Sequence, residues 1–278
     1  MKGESIKENW RRRTNKFELP SVLLLCIFFF LAGFYGSRFF HHSQEDEYGL
    51  RAKLLHGGES GDDFITSIPF QVLSWNPRIL YFPNFASVKQ CNSIIEAAMA
   101  GGLTRSTVAT ESGISDIRTS YGTYISASED KTGVLDLIEE KMARATKLPR
   151  NHGEKFNILR YKVGQKYNPH YDSYYSAIDG PQGRRRVASF LVYLTDISEG
   201  GETNFPYENG LNMDLGYHFK DCIGLKIKPR KGDGLLFYSL FPNGTMDRTS
   251  FHGSCPVIKG EKWVATKWIW NQLHYDDY

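Results

Sequence analysis

The sequence predicts a mainly β domain with flanking helices, built around a double-stranded β-helix (jelly-roll) core and preceded by an N-terminal transmembrane helix. Two observations support this prediction. The hydrophobic period is helical before Pro149 and changes afterwards to short aromatic and β-branched runs separated by Gly, Pro and Asp. Residues 19–37 contain no charged side chain. Two helices followed by many short strands are typical of a helix-buttressed β-sandwich or barrel, and the jelly-roll form offers a mouth for a metal ion.

The uncharged stretch 19–37 is the predicted transmembrane anchor. As a helix it would be about 28 Å long, close to the hydrocarbon thickness of a bilayer. Six basic residues precede it: Lys2, Lys7, Arg11, Arg12, Arg13 and Lys16. By the positive-inside rule, residues 1–18 stay in the cytosol and the rest of the chain crosses the membrane. A cleaved signal peptide is the alternative, but the apolar run is long for one and no convincing small-residue cleavage site follows it.

After the anchor, residues 38–70 are predicted to form a flexible stem, because they are largely polar and glycine-containing and show no hydrophobic period. Residues 71–278 form the predicted globular domain, which is long enough for one hydrophobic core. This order predicts a single-pass type II protein of the endoplasmic reticulum or Golgi membrane with its domain in the lumen. The sequence does not distinguish the two compartments.

The charge pattern gives no indication of nucleic-acid binding. The chain has 34 Lys and Arg residues against 31 Asp and Glu residues, and its formal net charge is +3. The basic residues are dispersed and often interleaved with acids, so they form no compelling basic surface. The aromatic content of 14% fits a β-rich domain with an aromatic groove, and it fits an ordinary aromatic core equally well.

Three cysteines follow the anchor and would lie in the lumen, where disulfides persist. Cys91 falls on an apolar helical face and is predicted to be a buried thiol. The sequence therefore predicts a disulfide between Cys222 and Cys255. Asn243 begins an Asn-Gly-Thr glycosylation sequon, which is usable only on the lumenal side of the membrane.

Two helices are expected in the first half of the domain. Residues 87–100 start with Ser87, a suitable cap, and share one apolar face made of Cys91, Ile94, Ile95 and Ala98. Residues 128–148 form the second predicted helix, which Pro149 ends. Its apolar residues at helical spacing are Val134, Leu137, Ile138, Met142 and Ala145.

The strands are expected mostly in the second half of the domain. Each predicted strand is a short run rich in β-branched or aromatic residues and is bounded by turn-forming residues. The predicted strands are residues 156–161, 186–195, 223–228, 234–239 and 262–270.

His170 and Asp172 are candidate metal ligands. Side chains two residues apart on a strand share a face, so both can point inward while Tyr171 points away. A His-x-Asp pair is common by chance, and it needs a third ligand. His252, from a neighbouring strand, would complete a set of two imidazoles and one carboxylate, which is typical of non-haem Fe(II) sites with open positions.

Lys262 is the candidate ligand for an anionic co-substrate. It shares one face of the last predicted strand with Val264, Thr266 and Trp268. A lysine on a buried strand needs an anion, and the far carboxylate of 2-oxoglutarate would supply one. The alternative is a lysine at the mouth of the strand, where its amine reaches solvent. Together with the three metal candidates, Lys262 indicates an oxygenase that uses Fe(II) and 2-oxoglutarate.

Four segments in order resemble the prolyl 4-hydroxylases, most closely the short, membrane-anchored type found in plants and green algae. Residues 160–172, with sequence RYKVGQKYNPHYD, resemble the iron-binding segment of that family. The other three are GGET at 200–203, HGSCPV at 252–257 and WVATKWI at 263–269. The similarity covers about residues 79–270, and four blocks at fitting intervals make it specific.

The resemblance implies roles for individual residues. The implied iron ligands are His170, Asp172 and His252. The implied 2-oxoglutarate site has Lys262 on the far carboxylate, with Tyr161 and Thr203 donating or accepting hydrogen bonds nearby. The resemblance also implies that Tyr167, Arg186 and Trp268 lie near the substrate proline. For Arg186, a solvated basic turn made of residues 184–186 is the open alternative. Residues 173–185 are expected to form a mobile lid, and residues 118–120 belong to a second loop over the groove.

The implied activity is 4-hydroxylation of peptidyl proline in secretory or cell-wall proteins of the extensin or arabinogalactan type. The implied cofactors are Fe(II), 2-oxoglutarate and ascorbate, with succinate and CO₂ as co-products. Assembly with related hydroxylases is a further expectation. The alternatives are a non-catalytic lumenal module that binds proline-rich peptides, a membrane-tethered adaptor and a lysyl hydroxylase. The last family tends to hold the co-substrate with arginine, so Lys262 favours proline as the target.

Overall fold

The structure is a computed structural model that describes residues 27–29, 31, 68–108, 114–173, 183–213 and 221–274. The predicted tail 1–18, nearly all of the anchor 19–37 and most of the stem 38–70 therefore lie outside the described residues. Within the described parts of the chain, no helix combines the length and apolar character needed to cross a bilayer. The described domain belongs to one unit, Ile65–Tyr278.

Helix α1, Val88–Gly101, agrees with its prediction to within one residue at each end. Ser87 caps it: the Ser87 hydroxyl accepts a hydrogen bond from the Gln90 amide, and the Gln90 side chain accepts one from the Ser87 amide. This reciprocal pair satisfies two amides that a helix end leaves free. The buried face is made of Cys91, Ile94 and Ala98.

Helix α2, Val134–Thr146, begins six residues later than predicted. The carboxylate of Asp130 accepts hydrogen bonds from the amides of Thr132 and Leu135, so the preceding residues form turns instead of a helix. Gly133 stands at the N-cap with φ +71°, in the left-handed region that favours glycine. Leu137, predicted to face the core, is 42% exposed because the shorter helix packs on Leu135, Ile138 and Met142.

The described residues form fourteen strands. They are β1 Gln71–Trp75, β2 Arg78–Phe82, β3 Thr104–Arg105, β4 Tyr121–Ile125, β5 Phe156–Tyr161, β6 Tyr167–His170, β7 Arg186–Tyr193, β8 Glu199–Gly200, β9 Thr203–Phe205, β10 Leu225–Ile227, β11 Gly234–Tyr238, β12 His252–Ser254, β13 Val257–Lys259 and β14 Lys262–Trp270. The predicted strands 156–161 and 262–270 have the observed bounds, whereas 186–195, 223–228 and 234–239 are one to three residues too long.

Two antiparallel sheets face each other across the site. The large sheet has the order β1-β2-β11-β7-β14-β5-β4-β3, and the smaller one has the order β10-β9-β12-β6. Strands β8 and β13 form a separate pair. Helices α1 and α2 cover the outer face of the large sheet and share a hydrophobic core with it. A second core lies between the large sheet and strands β9 and β10. This is the mainly β, helix-buttressed arrangement that the sequence predicts.

The alternation of side chains on the central strands separates the two cores. On β7, Phe190 and Val192 pack toward the helices, whereas Leu191 and Tyr193 pack toward the smaller sheet. On β14, Ala265 belongs to the helix-facing core and Val264 to the other. Residues 262, 264, 266 and 268 therefore face the space between the sheets.

Candidate active site

Two neighbouring strands of the smaller sheet bring the two histidines together. His252 on β12 is the direct cross-strand partner of His170 on β6. With Asp172 they form a cluster in which one possible ligand atom from each residue lies within 4.8 Å of the others. His170 Nε2 is 3.3 Å from Asp172 Oδ1, and His252 Nε2 is 3.5 Å from Asp172 Oδ2. The three predicted metal candidates therefore converge on one point.

Asp172 reaches this point in a different way from the one predicted. Strand β6 ends at His170, so Asp172 lies in a bend and does not share a strand face with His170. The bend follows an irregular pairing in which β6 carries an extra residue opposite β12. The carboxylate is instead tied to the opposite sheet, because the Ser189 hydroxyl on β7 donates a hydrogen bond to Asp172 Oδ2 at 2.5 Å.

The orientation of both imidazoles suits metal binding. Nδ1 of His170 lies 3.0 Å from the carbonyl oxygen of Asn168, and Nδ1 of His252 lies 3.0 Å from that of Ser250. A carbonyl only accepts, so each Nδ1 carries the proton and each Nε2 presents its lone pair to the cluster. Histidine ligands of protein metals are usually fixed by such a hydrogen bond.

The charges of the cluster also suit a divalent cation. Burial lowers the pKa of His252 to about 4, despite the opposing effect of Asp172, so this imidazole is neutral at neutral pH. Burial alone would raise the pKa of Asp172, but the neighbouring imidazoles of His252 and His170 lower it by more, and the pKa falls well below its usual range. Two imidazoles and one carboxylate are the donor set that non-haem Fe(II) prefers.

Lys262 lies in the same pocket as the cluster, together with Val264, Thr266 and Trp268. Its side chain is 1% exposed, so the alternative of a solvated lysine at the mouth of the strand is wrong. The amine donates a hydrogen bond to the Ser254 hydroxyl at 2.8 Å, and no carboxylate among the described residues forms an ion pair with it. Burial lowers the pKa of Lys262 to about 7. A buried amine of this kind can accept an anionic group from a ligand.

Tyr161 and Thr203 border the pocket beside Lys262, as the resemblance implies. The ring centroids of Tyr161 and Tyr193 are 5.3 and 5.8 Å from the Lys262 amine. Tyr193 donates a hydrogen bond to the Thr203 hydroxyl at 2.8 Å. Burial raises the pKa of both tyrosines, so they remain neutral hydrogen-bonding groups at neutral pH.

Of the three residues implied to contact substrate, Tyr167 and Trp268 line the pocket, and Arg186 packs against Trp268. Tyr167 stacks on His170 with a centroid separation of 3.7 Å. Trp268 is buried, and its indole N–H has no hydrogen-bond partner among the described residues. The Arg186 guanidinium lies 4.1 Å from the Trp268 ring centroid and donates to Glu154, with Nε 2.5 Å from Oε1. Arg186 therefore packs in the site and is not part of a solvated basic turn.

Several residues of the site were not identified as site residues by the sequence analysis. Ser189, Glu154, Ser254 and Tyr193 all contact candidate site residues. Strand alternation on the predicted strand 186–195 could have identified Ser189 and Tyr193 as facing inward, but nothing local marks Glu154 as the partner of Arg186. Residues 174–182 of the predicted lid lie outside the described residues.

The three cysteines of the domain and the sequon all belong to the described residues. Cys222 and Cys255 form a disulfide, and Cys91 is a buried free thiol. Asn243 is exposed in the turn after β11, where its side-chain oxygen accepts hydrogen bonds from the amide and hydroxyl of Thr245.

Comparison with known proteins agrees with this geometry. The profile of the 2OG-Fe(II) oxygenase superfamily matches residues 156–270, which contain the three candidate metal ligands and Lys262. The chain is 54% identical to Probable prolyl 4-hydroxylase 9 of Arabidopsis thaliana, over 94% of this chain and 96% of that protein. It is 46% identical to Prolyl 4-hydroxylase 13 of the same plant, over 94% of this chain and 98% of that protein.

A solved structure shares the fold. The viral collagen prolyl hydroxylase of Paramecium Bursaria Chlorella virus-1, determined as a 2-oxoglutarate complex, is 28% identical, with a TM-score of 0.53 over 69% of this chain and 95% of that one. This similarity and the sequence relatives identify the mainly β, antiparallel architecture as the jelly-roll of 2-oxoglutarate oxygenases. The chain belongs to the prolyl 4-hydroxylase family of 2-oxoglutarate- and Fe(II)-dependent oxygenases.

Proposed function

We propose that this protein hydroxylates C4 of peptidyl proline and couples the reaction to the conversion of 2-oxoglutarate and O₂ into succinate and CO₂. The observation that supports it most is the position of Lys262, a buried amine without an ion-pair partner among the described residues, in one pocket with His170, Asp172 and His252. The family relatives are named as prolyl 4-hydroxylases. Fe(II), 2-oxoglutarate and ascorbate are the cofactors of this function.

Different residues of the pocket would bind the metal and the co-substrate. His170, Asp172 and His252 would hold Fe(II) on one side, and the bound metal with 2-oxoglutarate supplies the oxidising power for C–H hydroxylation. Lys262 would bind the far carboxylate of 2-oxoglutarate, with hydrogen bonds from Tyr161 and Thr203. These contacts fix the co-substrate and exclude water around it.

Tyr167, Arg186 and Trp268 would hold the substrate proline. Tyr167 and Trp268 offer ring faces to the flat, apolar pyrrolidine. The indole N–H of Trp268, which has no partner in the described part of the chain, would donate to a peptide carbonyl. Arg186 is fixed by Glu154, so it is preorganised on the same wall.

The proposed setting is the secretory pathway. Residues 1–18 would be a cytosolic tail, 19–37 a single-pass type II anchor, 38–70 a flexible stem and 71–278 the lumenal catalytic domain of the endoplasmic reticulum or Golgi. The uncharged run with basic residues before it supports the anchor, and the disulfide and exposed sequon suit a lumenal domain. The proposed substrates are proline-rich extensin- or arabinogalactan-type proteins. Assembly with related hydroxylases is part of the same proposal.

Peptide hydroxylation tests the proposed function. The lumenal domain is incubated with Fe(II), 2-oxoglutarate, ascorbate and poly-proline, extensin-like or collagen-like peptides, and the products are analysed by mass spectrometry. We expect added oxygen on proline and succinate in equal amount, with the extensin-like peptide preferred. Peptide binding without turnover would indicate the non-catalytic peptide-binding module. A domain that binds neither metal nor peptide would indicate the adaptor. Oxygen added to lysine would indicate a lysyl hydroxylase.

A further inference from the structure

Asp172 is the one candidate metal ligand that no strand holds in place. His170 and His252 lie on paired strands, and a backbone carbonyl fixes each of their rings. Asp172 follows the end of β6 and lies in a bend, one residue before the end of the described range 114–173. A carboxylate in such a position can rotate about its side-chain bonds unless another group restrains it.

Ser189 supplies that restraint from the opposite sheet. It is 0% exposed and lies on β7, the strand between β11 and β14 in the large sheet. Its hydroxyl donates to Asp172 Oδ2 at 2.5 Å, a short distance typical of a hydroxyl bound to an ionised carboxylate. Among the described residues, the other side chains within ion-pair distance of this carboxylate are His170 and His252, which are themselves candidate ligands.

The two carboxylate oxygens consequently have different surroundings. Oδ1 lies 3.3 Å from His170 Nε2 and Oδ2 lies 3.5 Å from His252 Nε2, but among the described residues only Oδ2 accepts a hydrogen bond from a hydroxyl, that of Ser189. A carboxylate that used both oxygens on the metal would take one of the positions that 2-oxoglutarate and O₂ need. A hydrogen bond to one oxygen favours binding through the other.

We propose that Ser189 is a positioning residue that holds Asp172 for binding of the metal through Oδ1 alone and so keeps the remaining positions open for co-substrate. The inference rests on the metal site of the proposed function and goes beyond it by assigning a role to a residue outside the ligand set. The hydroxyl of Ser189 donates its hydrogen bond to Asp172, so the proposed role is exerted through that carboxylate.

The test uses three substitutions at one position. Ser189→Ala removes the donor, Ser189→Cys keeps a similar volume with a weak donor, and Ser189→Thr keeps the hydroxyl. The matched control is Ser239→Ala, because Ser239 is also a buried serine and its hydroxyl has no hydrogen-bond partner among the described residues. Thermal unfolding of every variant separates folding defects from effects on the metal.

Titration with Co(II) measures metal affinity without turnover, and the visible spectrum of the Co(II) protein reports its coordination. We expect affinity about 10- to 100-fold weaker for the Ala and Cys variants, the range found for groups that orient metal ligands. The Co(II) spectrum, and its change on adding 2-oxoglutarate, should differ from wild type in both. Ser189→Thr should have the Co(II) affinity and spectrum of the wild type, and so should the control Ser239→Ala.

Unchanged Co(II) affinity and spectrum in Ser189→Ala and Ser189→Cys would overturn the inference. An equal loss of Co(II) affinity in Ser189→Thr and Ser189→Ala, with all proteins folded, would also overturn it. If Ser189→Ala does not fold, Ser189→Cys and Ser189→Thr are compared instead: weaker Co(II) binding in the Cys variant supports the inference, and equal binding overturns it. A wild-type protein that binds Co(II) and shows the expected order of variants, yet does not hydroxylate proline, would leave the role of Ser189 standing and refute the proposed function. Absence of metal binding in the wild type would refute both.

Discussion

Lys262 is buried, and burial disfavours the charged form of its amine. Its amine is enclosed between the sheets, so burial lowers its pKa to about 7, with only a partial opposing effect from Glu202. A bound carboxylate favours the charged amine and raises the pKa again. Co-substrate binding and protonation of Lys262 are therefore coupled.

This coupling predicts how pH affects 2-oxoglutarate binding. The amine is charged below its pKa of about 7 in the free protein, so affinity should be highest there. Above pH 7 the protein must take up a proton to bind, and affinity should fall about tenfold per pH unit until the pKa of the complex is reached. Calorimetric titration of the Mn(II)-loaded domain between pH 6 and 9 measures the effect. Lys262→Arg stays charged and should show a flat profile; a flat profile for wild type would refute the role of the amine.

His252→Ala should abolish metal binding and turnover. The remaining His170 and Asp172 cannot hold a divalent ion tightly, and the substitution opens a void next to Phe237, whose ring is 4.3 Å from that of His252. Co(II) titration and succinate release measure the two effects. Lys262→Ala is the matched comparison, because it should keep the metal and lose only 2-oxoglutarate affinity. Retained turnover in His252→Ala would remove this residue from the ligand set.

The candidate residues could be predicted from the sequence where they belong to continuous segments. His170, Asp172, His252 and Lys262 were proposed from spacing and segment similarity, and the structure brings them into one pocket. Ser189 could not be assigned a partner, because its contact with Asp172 depends on two sheets packing face to face.

At the scale of elements, strand β14 was the most predictable part of the fold. Its nine residues alternate between two buried faces, and both faces carry apolar residues, so the strand signal is strong. Strands β1, β2 and β4 were not predicted, although they belong to the large sheet. β1 lies at the edge and is partly exposed, so it has a weak hydrophobic pattern. Helix α2 was predicted too long because a turn held by Asp130 is not visible in the hydrophobic period.

The Cys222–Cys255 disulfide connects two elements next to the pocket. Cys255 directly follows β12, which carries His252 and also Ser254, the hydrogen-bond acceptor of Lys262. The bridge therefore ties the strand that carries the candidate ligand His252 to the segment leading into β10.

Removing both cysteines should reduce stability and loosen the co-substrate site. For a sequence separation of 33, Cys222→Ser with Cys255→Ser is expected to lower the free energy of unfolding by roughly 3–4 kcal/mol. The apparent KM for 2-oxoglutarate should rise, because Ser254 is held less firmly. Urea unfolding and steady-state kinetics measure these effects. A reductant should lower stability and raise the apparent KM in the wild type and should leave the double variant unchanged. Equal stability of the double variant and the wild type without reductant would contradict the structural role of the bridge.

At the scale of the whole molecule, the two larger sheets of the described domain enclose the site, and helices α1 and α2 support the largest one. The fold class was predicted because the change of hydrophobic period separates helices from strands. The sequence could not show which strands pair, because pairing depends on contacts far apart in the chain. The anchor and the lumenal setting remain predictions.

Glycosylation tests the predicted topology of the full chain. Asn243 lies in an exposed turn, so a lumenal domain should carry a glycan there. Expression in microsomes should give an endoglycosidase-sensitive product that is protected from added protease. Asn243→Gln should remove the glycan, whereas Thr245→Ser keeps the sequon and should retain it. An unmodified, protease-sensitive domain in intact microsomes would argue against the type II orientation.

In the proposed function, one pocket couples 2-oxoglutarate decarboxylation to proline hydroxylation. The most direct measurement is incubation of the domain with Fe(II), 2-oxoglutarate, a proline-rich peptide and isotopically labelled O₂, followed by mass spectrometry of both products. We predict one labelled oxygen atom in succinate and one on C4 of proline, in equal amounts, with neither product formed by His252→Ala. Labelled succinate without labelled hydroxyproline, or equal yields from His252→Ala, would contradict this claim.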